Sequence, residues 1–170
     1  ISLNPQDSSL WQNLGAIYKN LVPAVNGADS WAVSALSQAV ALDPNNPQAH
    51  FSLAGMYIQT SQWENSQRQL EIAVALDPSF SNGFYNLAYV QKQEGRYQEA
   101  LASLSQVLQL LPANSSDFSN VFKEKTALEN FAREATSSGS LKETATISPI
   151  SPLSPNNPST SSAELSPKLS

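Results

Sequence analysis

The stretch WQNLGAIY, residues 11–18, returns twice further along the chain in altered form. The second copy is HFSLAGMY at 50–57 and the third is FYNLAYVQ at 84–91. Each copy opens with a ring, carries Leu three residues later and then a small residue. Small and large residues follow every copy, namely Ala32, Leu36 and Ala39, then Ser66, Leu70 and Ala73, then Ala100, Leu104 and Val107. Their spacing of three and four predicts closely packed pairs of helices.

A Leu-x-Pro phrase separates the copies and sets the length of the repeating unit. Its prolines stand at positions 5, 44, 78 and 112. The last two intervals are equal and define the repeat period, whereas the first interval is longer. Because proline disfavours helix in the residue before it, each phrase predicts the end of a helix. The phrase at 1–5 has the same form, and we interpret residues 1–7 as the end of a truncated upstream repeat.

These blocks resemble the tetratricopeptide repeat (TPR) family, whose unit of ~34 residues is a helix-turn-helix pair. The matching residues are Trp11, Leu14, Gly15, Tyr18, Ala32, Leu36, Ala39 and Pro44 in the first unit, Leu53, Ala54, Tyr57, Leu70, Ala73 and Pro78 in the second, and Leu87, Ala88, Ala100, Leu104, Val107 and Pro112 in the third. Ser66 and Gln91 depart from the pattern. The resemblance implies an all-α fold, a right-handed α-solenoid of three units at 8–46, 47–80 and 81–114.

Local signals indicate where several helices begin and end. Asn46 followed by Pro47 predicts an N-cap and a first helical position. Ser61 with Glu64 three residues later predicts a capping box for the second helix of unit two. Gly95 stands where the turn of unit three needs a permissive backbone.

Unit one carries about five extra residues within 21–29, between its two helices. Pro23 is expected to end the first helix, and Asp29 or Ser30 to cap the second. Three residues of this insertion are apolar, namely Leu21, Val22 and Val25. They either pack back on the repeat or form a protruding contact for a partner or another part of a longer chain.

Two further segments follow the repeats. Residues 115–135 place apolar side chains on one side of a predicted helix, which either caps the apolar end of the stack or docks on a partner. Residues 136–170 are rich in Ser and Pro and lack aromatic residues, so we expect a disordered tail. Its Ile-Ser-Pro phrases place Ile147, Ile150 and Leu153 on one face of a polyproline II helix, as a linker, a docking peptide or Ser-Pro phosphorylation sites.

The composition argues against an enzyme. There are no cysteines and one histidine, so thiolate metal sites are excluded, and we expect no metal and no cofactor. His50 occupies the ring position of a repeat, which favours a packing role over catalysis. A net charge of −5 disfavours nucleic-acid binding, and no stretch approaches the ~20 apolar residues of a membrane span. We therefore expect no membrane contact by this segment itself.

In the TPR family the first helix of each unit lines a concave groove, and the resemblance implies a peptide-binding site there. Its candidate residues are Gln12, Asn13, Lys19, Phe51, Ser52, Ile58, Tyr85, Asn86, Tyr89 and Lys92. Tyr85 and Tyr89 are one turn apart and are expected to stack on one ligand. Asn13, Ser52 and Asn86 are equivalent and could hydrogen-bond an extended peptide backbone. Each of these positions could equally be ordinary solvated surface.

Some TPR domains hold the terminal carboxylates of a peptide with Lys, Asn and Arg. At each clamp position, this sequence has a residue that differs from the one the clamp has at that position. These residues are Gln12, Ala16, Ser52, Asn82 and Asn86. The sequence therefore does not resemble a carboxylate clamp, which disfavours an adaptor for chaperone tails.

Two functions of different class remain open from the sequence. The first is a non-catalytic scaffold that binds an extended peptide or a partner protein in the groove. The second is an accessory or spacer domain, because residues 11–47 also resemble the C-terminal repeat region of bacterial O-antigen ligase or polymerase-type membrane proteins. That resemblance implies a soluble segment tethered to a bacterial membrane through sequence before Ile1, with catalysis upstream. Neither reading indicates an oligomeric state.

Overall fold

The computed structural model describes residues 6–137, which form seven α-helices and no strand. In chain order they are α1 (Ser8–Leu21), α2 (Ala28–Leu42), α3 (Pro47–Gln59), α4 (Trp63–Leu76), α5 (Ser81–Gln93), α6 (Tyr97–Leu110) and α7 (Ser116–Ser137). The prediction of an all-α repeat fold is confirmed. The phrase at 1–5 and the Ser/Pro-rich segment from residue 138 onward lie outside the described residues.

The helices pack in consecutive pairs, and the pairs stack. Within pairs, α1 packs on α2, α3 on α4 and α5 on α6. Between pairs, α2 meets α3, α4 meets α5 and α6 meets α7. Because each helix packs on its neighbours in sequence, the described residues form a helical solenoid.

The repeated small and large positions lie in the core at equivalent places. All of them are buried, namely Ala32, Leu36, Ala39, Ser66, Leu70, Ala73, Ala100, Leu104 and Val107. Fully burying one Leu side chain stabilises the fold by about 1.5–3 kcal/mol, so the leucines contribute most of this set. The small residues let the helices approach. A Cβ on Gly15 would lie 2.5 Å from Cγ of Leu36, so α1 and α2 could not pack this closely around a larger residue.

The predicted start of α3 is confirmed. Asn46 is the N-cap, and its side-chain oxygen accepts the backbone N–H of Gln48 at 3.0 Å and of Ala49 at 3.3 Å. Pro47 occupies the first turn, where a missing N–H costs nothing. The Asp-Pro phrases also end helices as expected, with Asp43 and Asp77 as the C-caps of α2 and α4.

The turn between α3 and α4 corrects the predicted capping box. Ser61 has a φ of 56°, in the left-handed region, and α4 has Gln62 as its N-cap with no side-chain cap hydrogen bond. Gly95 occupies the equivalent place in unit three, with a φ of 75°. In both turns the next residue donates its N–H to the carbonyl five residues back, at 2.8 Å, as in a Schellman helix end. Ser61 therefore ends α3 and does not cap α4.

The insertion of unit one follows the sequence-based expectation at its start and departs from it at its end. α1 ends at Leu21, two residues before Pro23. The N-cap of α2 is Gly27, with a φ of 82° and no side-chain cap hydrogen bond. Because α2 already begins at Ala28, the prediction that Asp29 or Ser30 caps it is wrong.

The apolar residues of the insertion divide between the two expected roles. Val22 packs against the buried cluster that contains Leu36 and Met56. Leu21 and Val25 are each 37% exposed. The insertion is thus anchored through one side chain and presents two others to solvent.

α7 takes the place that the first helix of a further unit would take. Its Val121 is buried and lies one repeat period after Leu87, which itself follows the equally buried Leu53 by one period. α7 packs on α6, and the rings of Phe131 and Tyr97 meet edge to face at 5.2 Å. Its other side exposes 55% of Phe122, so this outer face is not wholly polar.

Candidate functional site

The first helices α1, α3 and α5 carry the candidate groove residues at equivalent positions. α1 and α3 approach each other directly, in addition to packing on their own second helices. The side chain of Lys19 extends from α1 to α3, since a Cβ atom built on Gly55 would lie 4.0 Å from its Nζ atom. Outside the chain neighbours of Gly55 and the backbone of its own helix, no other atom is as close to that point, so the surface over Gly55 is open.

A row of polar side chains follows these helices. Asn13 is exposed, and Ser52 and Asn86 are half-buried. Ser52 donates its Oγ hydrogen to the carbonyl of Gln48 within its own helix, at 2.8 Å. Within residues 6–137, the side-chain amides of Asn13 and Asn86 have no hydrogen-bond partner. These amides are therefore available to a ligand as donors and acceptors.

Gln12, another groove candidate on α1, forms a hydrogen bond within its own helix. Gln12 is half-buried and donates its amide N–H to the Oγ atom of Ser8 at 3.2 Å. Lys19 is exposed, and none of the ion pairs within residues 6–137 includes it. α1 thus offers one amide and one ammonium group to the groove.

Two apolar candidates serve the junction between units. Phe51 and Ile58 are half-buried and pack against the cluster that contains Val90 of α5. The ring of Phe51 also meets Phe80 at a centroid distance of 4.9 Å. Both side chains therefore pack on a cluster that units two and three share, and they offer a ligand part of their surface.

Tyr85 and Lys92 hold the positions equivalent to Phe51 and Ile58, and α7 covers both. Glu124 of α7 accepts the Tyr85 hydroxyl at 3.1 Å and pairs with the Lys92 ammonium at 2.9 Å. Tyr85 and Lys92 are each 6% exposed. Burial, and next the negative charge of Glu124, raise the pKa of the Tyr85 hydroxyl well above its usual value.

This arrangement corrects the expectation that Tyr85 and Tyr89 form one open stacking platform. The Tyr85 ring is buried under α7, whereas Tyr89 is half-buried and meets Trp63 edge-on at 6.1 Å. The Lys92 ammonium lies 5.9 Å from the centre of the Tyr89 ring. Tyr89 is thus the tyrosine of this pair that keeps a surface for a ligand.

The sequence-based interpretation missed Glu124. The signal lay in the repeat register, because position 124 follows Val90 by one repeat period and Met56 by two. Met56 and Val90 are both fully buried. An acidic residue at a buried apolar position of a repeat indicates a buried cation nearby, and Lys92 is that cation.

The charge of the first helices differs from that of the chain. α1, α3 and α5 contain no Asp or Glu, although the chain has a net charge of −5. Their cations are Lys19 and Lys92. Lys123 of α7 is exposed and, like Lys19, has no acidic partner within residues 6–137. α1, α3 and α5 thus form a neutral to basic surface on an acidic chain, whereas α7 carries acidic residues as well as Lys123.

Other chemistry is sparse in the part of the chain that the structure describes. His50 is buried, with Nε2 2.9 Å from the carbonyl oxygen of Pro44 and Nδ1 2.8 Å from Oε1 of Gln69, as a packing residue would be. Residues 6–137 contain no group of three or more His, Asp or Glu that could hold a metal ion. Among the described helices, none is both long and apolar enough to cross a membrane.

Comparison with known proteins gives the fold family. Residues 81–114 match the sequence model of the tetratricopeptide repeat. The described residues have the TPR fold. The resemblance that the repeated blocks indicated is confirmed, whereas a search of curated proteins found no match. The resemblance to O-antigen ligase-type proteins stays a prediction.

Solved TPR structures share the fold at low sequence identity. The first TPR of Spaghetti (RPAP3), bound to the HSP90 peptide SRMEEVD, has a TM-score of 0.65 and 19% identity over 78% of this chain and 98% of that chain. The TPR domain of OM64 from Arabidopsis has a TM-score of 0.60 and 20% identity over 78% and 98%. MamA has a TM-score of 0.59 and 17% identity over 77% and 83%. At these identities the likeness is one of fold.

Proposed function

We propose that the chain is a non-catalytic scaffold that binds an extended acidic peptide of a partner protein along α1, α3 and α5. The observation that carries the proposal is the absence of Asp and Glu from these three helices in a chain of net charge −5. A face that lacks acidic groups and carries Lys19 and Lys123, cations unpaired within residues 6–137, favours an acidic ligand over a basic one.

The unpartnered groups of the face supply the contacts. Lys19 and Lys123 attract carboxylates from opposite ends of the row of first helices. Asn13 and Asn86 occupy equivalent positions, so their amides repeat along the groove as the backbone of an extended peptide does. Amide pairs of this kind hold a peptide by its main chain and leave its sequence to be read by neighbouring side chains.

The fold supports a peptide ligand, since the first TPR of Spaghetti is bound to the peptide SRMEEVD. The residues here are not those of a carboxylate clamp. Gln12 and Ser52 stand at two of the clamp positions, and both have local hydrogen bonds. The proposed peptide is therefore held along its length and not by its terminus.

A substitution at Gly55 tests the proposal. The surface over Gly55 is open apart from Lys19, so Gly55→Trp places a large ring in the groove without displacing the core. Ala75 is exposed on α4, a second helix, and Ala75→Trp is the matched control. Peptides would be selected from a displayed library of random extended sequences on the full chain, and their affinities measured by calorimetry.

We expect selected peptides with an excess of Asp and Glu, which bind the Ala75→Trp variant like the wild type. Gly55→Trp is expected to weaken them at least tenfold while the melting temperature stays unchanged. Equal binding by both variants would place the site elsewhere. Failure to select any peptide, or selection of basic peptides, would overturn the proposal.

A further inference from the structure

A half-open pocket lies between the end of α5 and the second half of α7. Its volume is about 180 Å³, and it is lined by Lys92, Glu124, Ala127, Leu128 and Phe131. Nearly all of its exposed lining is apolar. Lys92 and Glu124 contribute little polar surface because their charged ends face each other at 2.9 Å.

The pocket exists because α7 continues where the earlier first helices end. α5 has 13 residues and stops at Gln93, whereas α7 has 22. Leu128 lies one repeat period after Glu94, the C-cap of α5, so α7 is still helical where α5 has ended. Phe131 lies one turn further on and is held by Tyr97 at 5.2 Å. The aromatic wall of the pocket is therefore fixed before any ligand arrives.

We propose that this pocket binds one apolar side chain, of the size of Leu or Phe, from the acidic peptide in the groove. The inference rests on the proposed function and adds α7 to the binding site. A cavity of about 150 Å³ in another protein is large enough for benzene, so the volume here suits a single aromatic or branched side chain. Pockets of this kind supply the sequence preference that main-chain contacts lack.

The position of the pocket favours a groove peptide as its occupant. Lys92 is at the repeat position that Lys19 and Ile58 occupy in units one and two. Ala127 of α7 is at the position that Gln59 and Gln93 occupy in units two and three. The pocket thus continues the surface that the first helices present. Its lining comes from the last of these helices and from α7, so it terminates the groove at the end of the stack.

Charge beside the pocket specifies the ligand further. Lys123 precedes Ala127 by four residues, which places the two on one face of α7. Lys123 is exposed and has no acidic partner within residues 6–137. The peptide residue next to the one in the pocket would lie near Lys123, so Asp or Glu is favoured there over Lys or Arg.

Three capped dipeptides test the proposal independently of any selected peptide. They are N-acetyl-Asp-Phe-amide, N-acetyl-Asp-Ala-amide and N-acetyl-Lys-Phe-amide, each titrated to millimolar concentration into the isotopically labelled full chain. The readout is the NMR shift of the backbone amides of Lys92, Ala127 and Leu128. Ala127 is exposed at the rim of the pocket, so Ala127→Phe fills it, and Ala75→Phe on α4 is the matched control.

We expect the Asp-Phe compound to shift these amides with an affinity at least tenfold above that of Asp-Ala and about threefold above that of Lys-Phe. Ala127→Phe is expected to abolish the shifts, and Ala75→Phe to leave them unchanged. Lys123→Gln should remove the preference of Asp-Phe over Lys-Phe while the shifts remain. Gly55→Trp, which blocks the groove further away, should leave dipeptide binding intact.

Several results would overturn the proposal. One is the absence of shifts in the wild type, and another is their persistence in Ala127→Phe. A third is the appearance of shifts only after Ile147, Ile150 and Leu153 are replaced by Ser, which would make the chain's own C-terminal segment the occupant. Because Gly55→Trp affects the groove and spares the pocket, the proposed function and the pocket can fail separately.

Discussion

Units two and three each contact the next part of the stack through residues at equivalent repeat positions. The contact made by unit two is apolar, and the contact made by unit three is polar. Phe51 and Ile58 of α3 pack on the cluster that contains Val90 of α5. One repeat later, Tyr85 and Lys92 of α5 meet Glu124 of α7 through a hydrogen bond and an ion pair. The same geometry thus holds an apolar contact inside the stack and a polar contact at its end.

The difference shows what each junction requires. An apolar junction tolerates imperfect partners, since each side chain is stabilised by burial alone. A buried polar junction needs every group paired, because an unpaired charge or hydroxyl costs several kcal/mol. The end of the stack therefore depends on one residue, Glu124, whose two oxygens serve two buried partners from α5.

The largest predicted effect comes from removing that residue. Glu124→Ala leaves the Lys92 ammonium and the Tyr85 hydroxyl without their shared acceptor. The Lys92 side chain is 4% exposed and that of Glu124 is 21% exposed, so we expect a loss near the lower end for a broken buried pair, about 3 kcal/mol in the free energy of unfolding. Urea denaturation followed by circular dichroism measures it.

Glu129→Ala is the control for this change. Glu129 pairs with Lys125 on the same helix, on a more exposed side, so its loss should cost no more than about 0.5 kcal/mol. Equal losses for the two variants would show that helix α7 is sensitive to any acidic substitution. The buried ion pair would then contribute no more to the free energy of unfolding than the exposed one.

Tyr85→Phe isolates the hydroxyl of the polar junction. At pH 8 we expect a loss of about 1.5 kcal/mol, the size of a hydrogen bond to a charged acceptor. The pKa of Tyr85 is raised in the folded state, so its contribution is complete below the unfolded pKa of about 10 and is lost as pH rises above it. The difference between the variant and the wild type should therefore shrink above pH 10. A pH-independent difference would contradict this account.

The inter-helix turns extend the comparison between units two and three. Ser61 and Gly95 occupy the same left-handed position, which costs a non-glycine residue about 1 kcal/mol. We expect Ser61→Gly to stabilise the chain by about that amount and Gly95→Ser to destabilise it similarly, measured by thermal unfolding. If both exchanges destabilise, Ser61 must contribute something besides the turn.

Most of the fold could be predicted from the repeat period. The wrong predictions concern local backbone geometry, which residue types did not specify. Positions such as Leu36, Leu70 and Leu104 are fixed by packing that recurs in every unit, so their spacing predicted their burial. The role of Ser61 was mispredicted because a Ser three residues before a Glu suits both a capping box and other local structures. Backbone geometry, and not side-chain type, decided between them.

The candidate site was less predictable for a related reason. The groove positions of Asn13 and Asn86 followed from repeat register, but the burial of Tyr85 and Lys92 depends on what α7 brings against them. Repeat register places position 124 against them, but Glu124 is acidic where Met56 and Val90 are apolar, so the contact does not follow from the residue types that recur in the units. Burial therefore follows from the sequence within the repeats and less so at the end of the stack.

The smallest predicted effect is the sharpest test of the comparison. Replacing Tyr85 by Phe, Lys92 by Ile and Glu124 by Val gives the end junction the residues of the inner one. Apolar replacement of a whole buried ion pair is often neutral or stabilising, because the desolvation cost of the charges disappears with their attraction. We therefore expect the triple variant to unfold within about 1 kcal/mol of the wild type, although Glu124→Ala alone loses about 3 kcal/mol. A triple variant as unstable as Glu124→Ala would mean that the polar junction stabilises the stack in its own right. Wild-type stability would instead mean that folding does not need the charges of Lys92 and Glu124, and the adjoining pocket is where a role in binding should be sought.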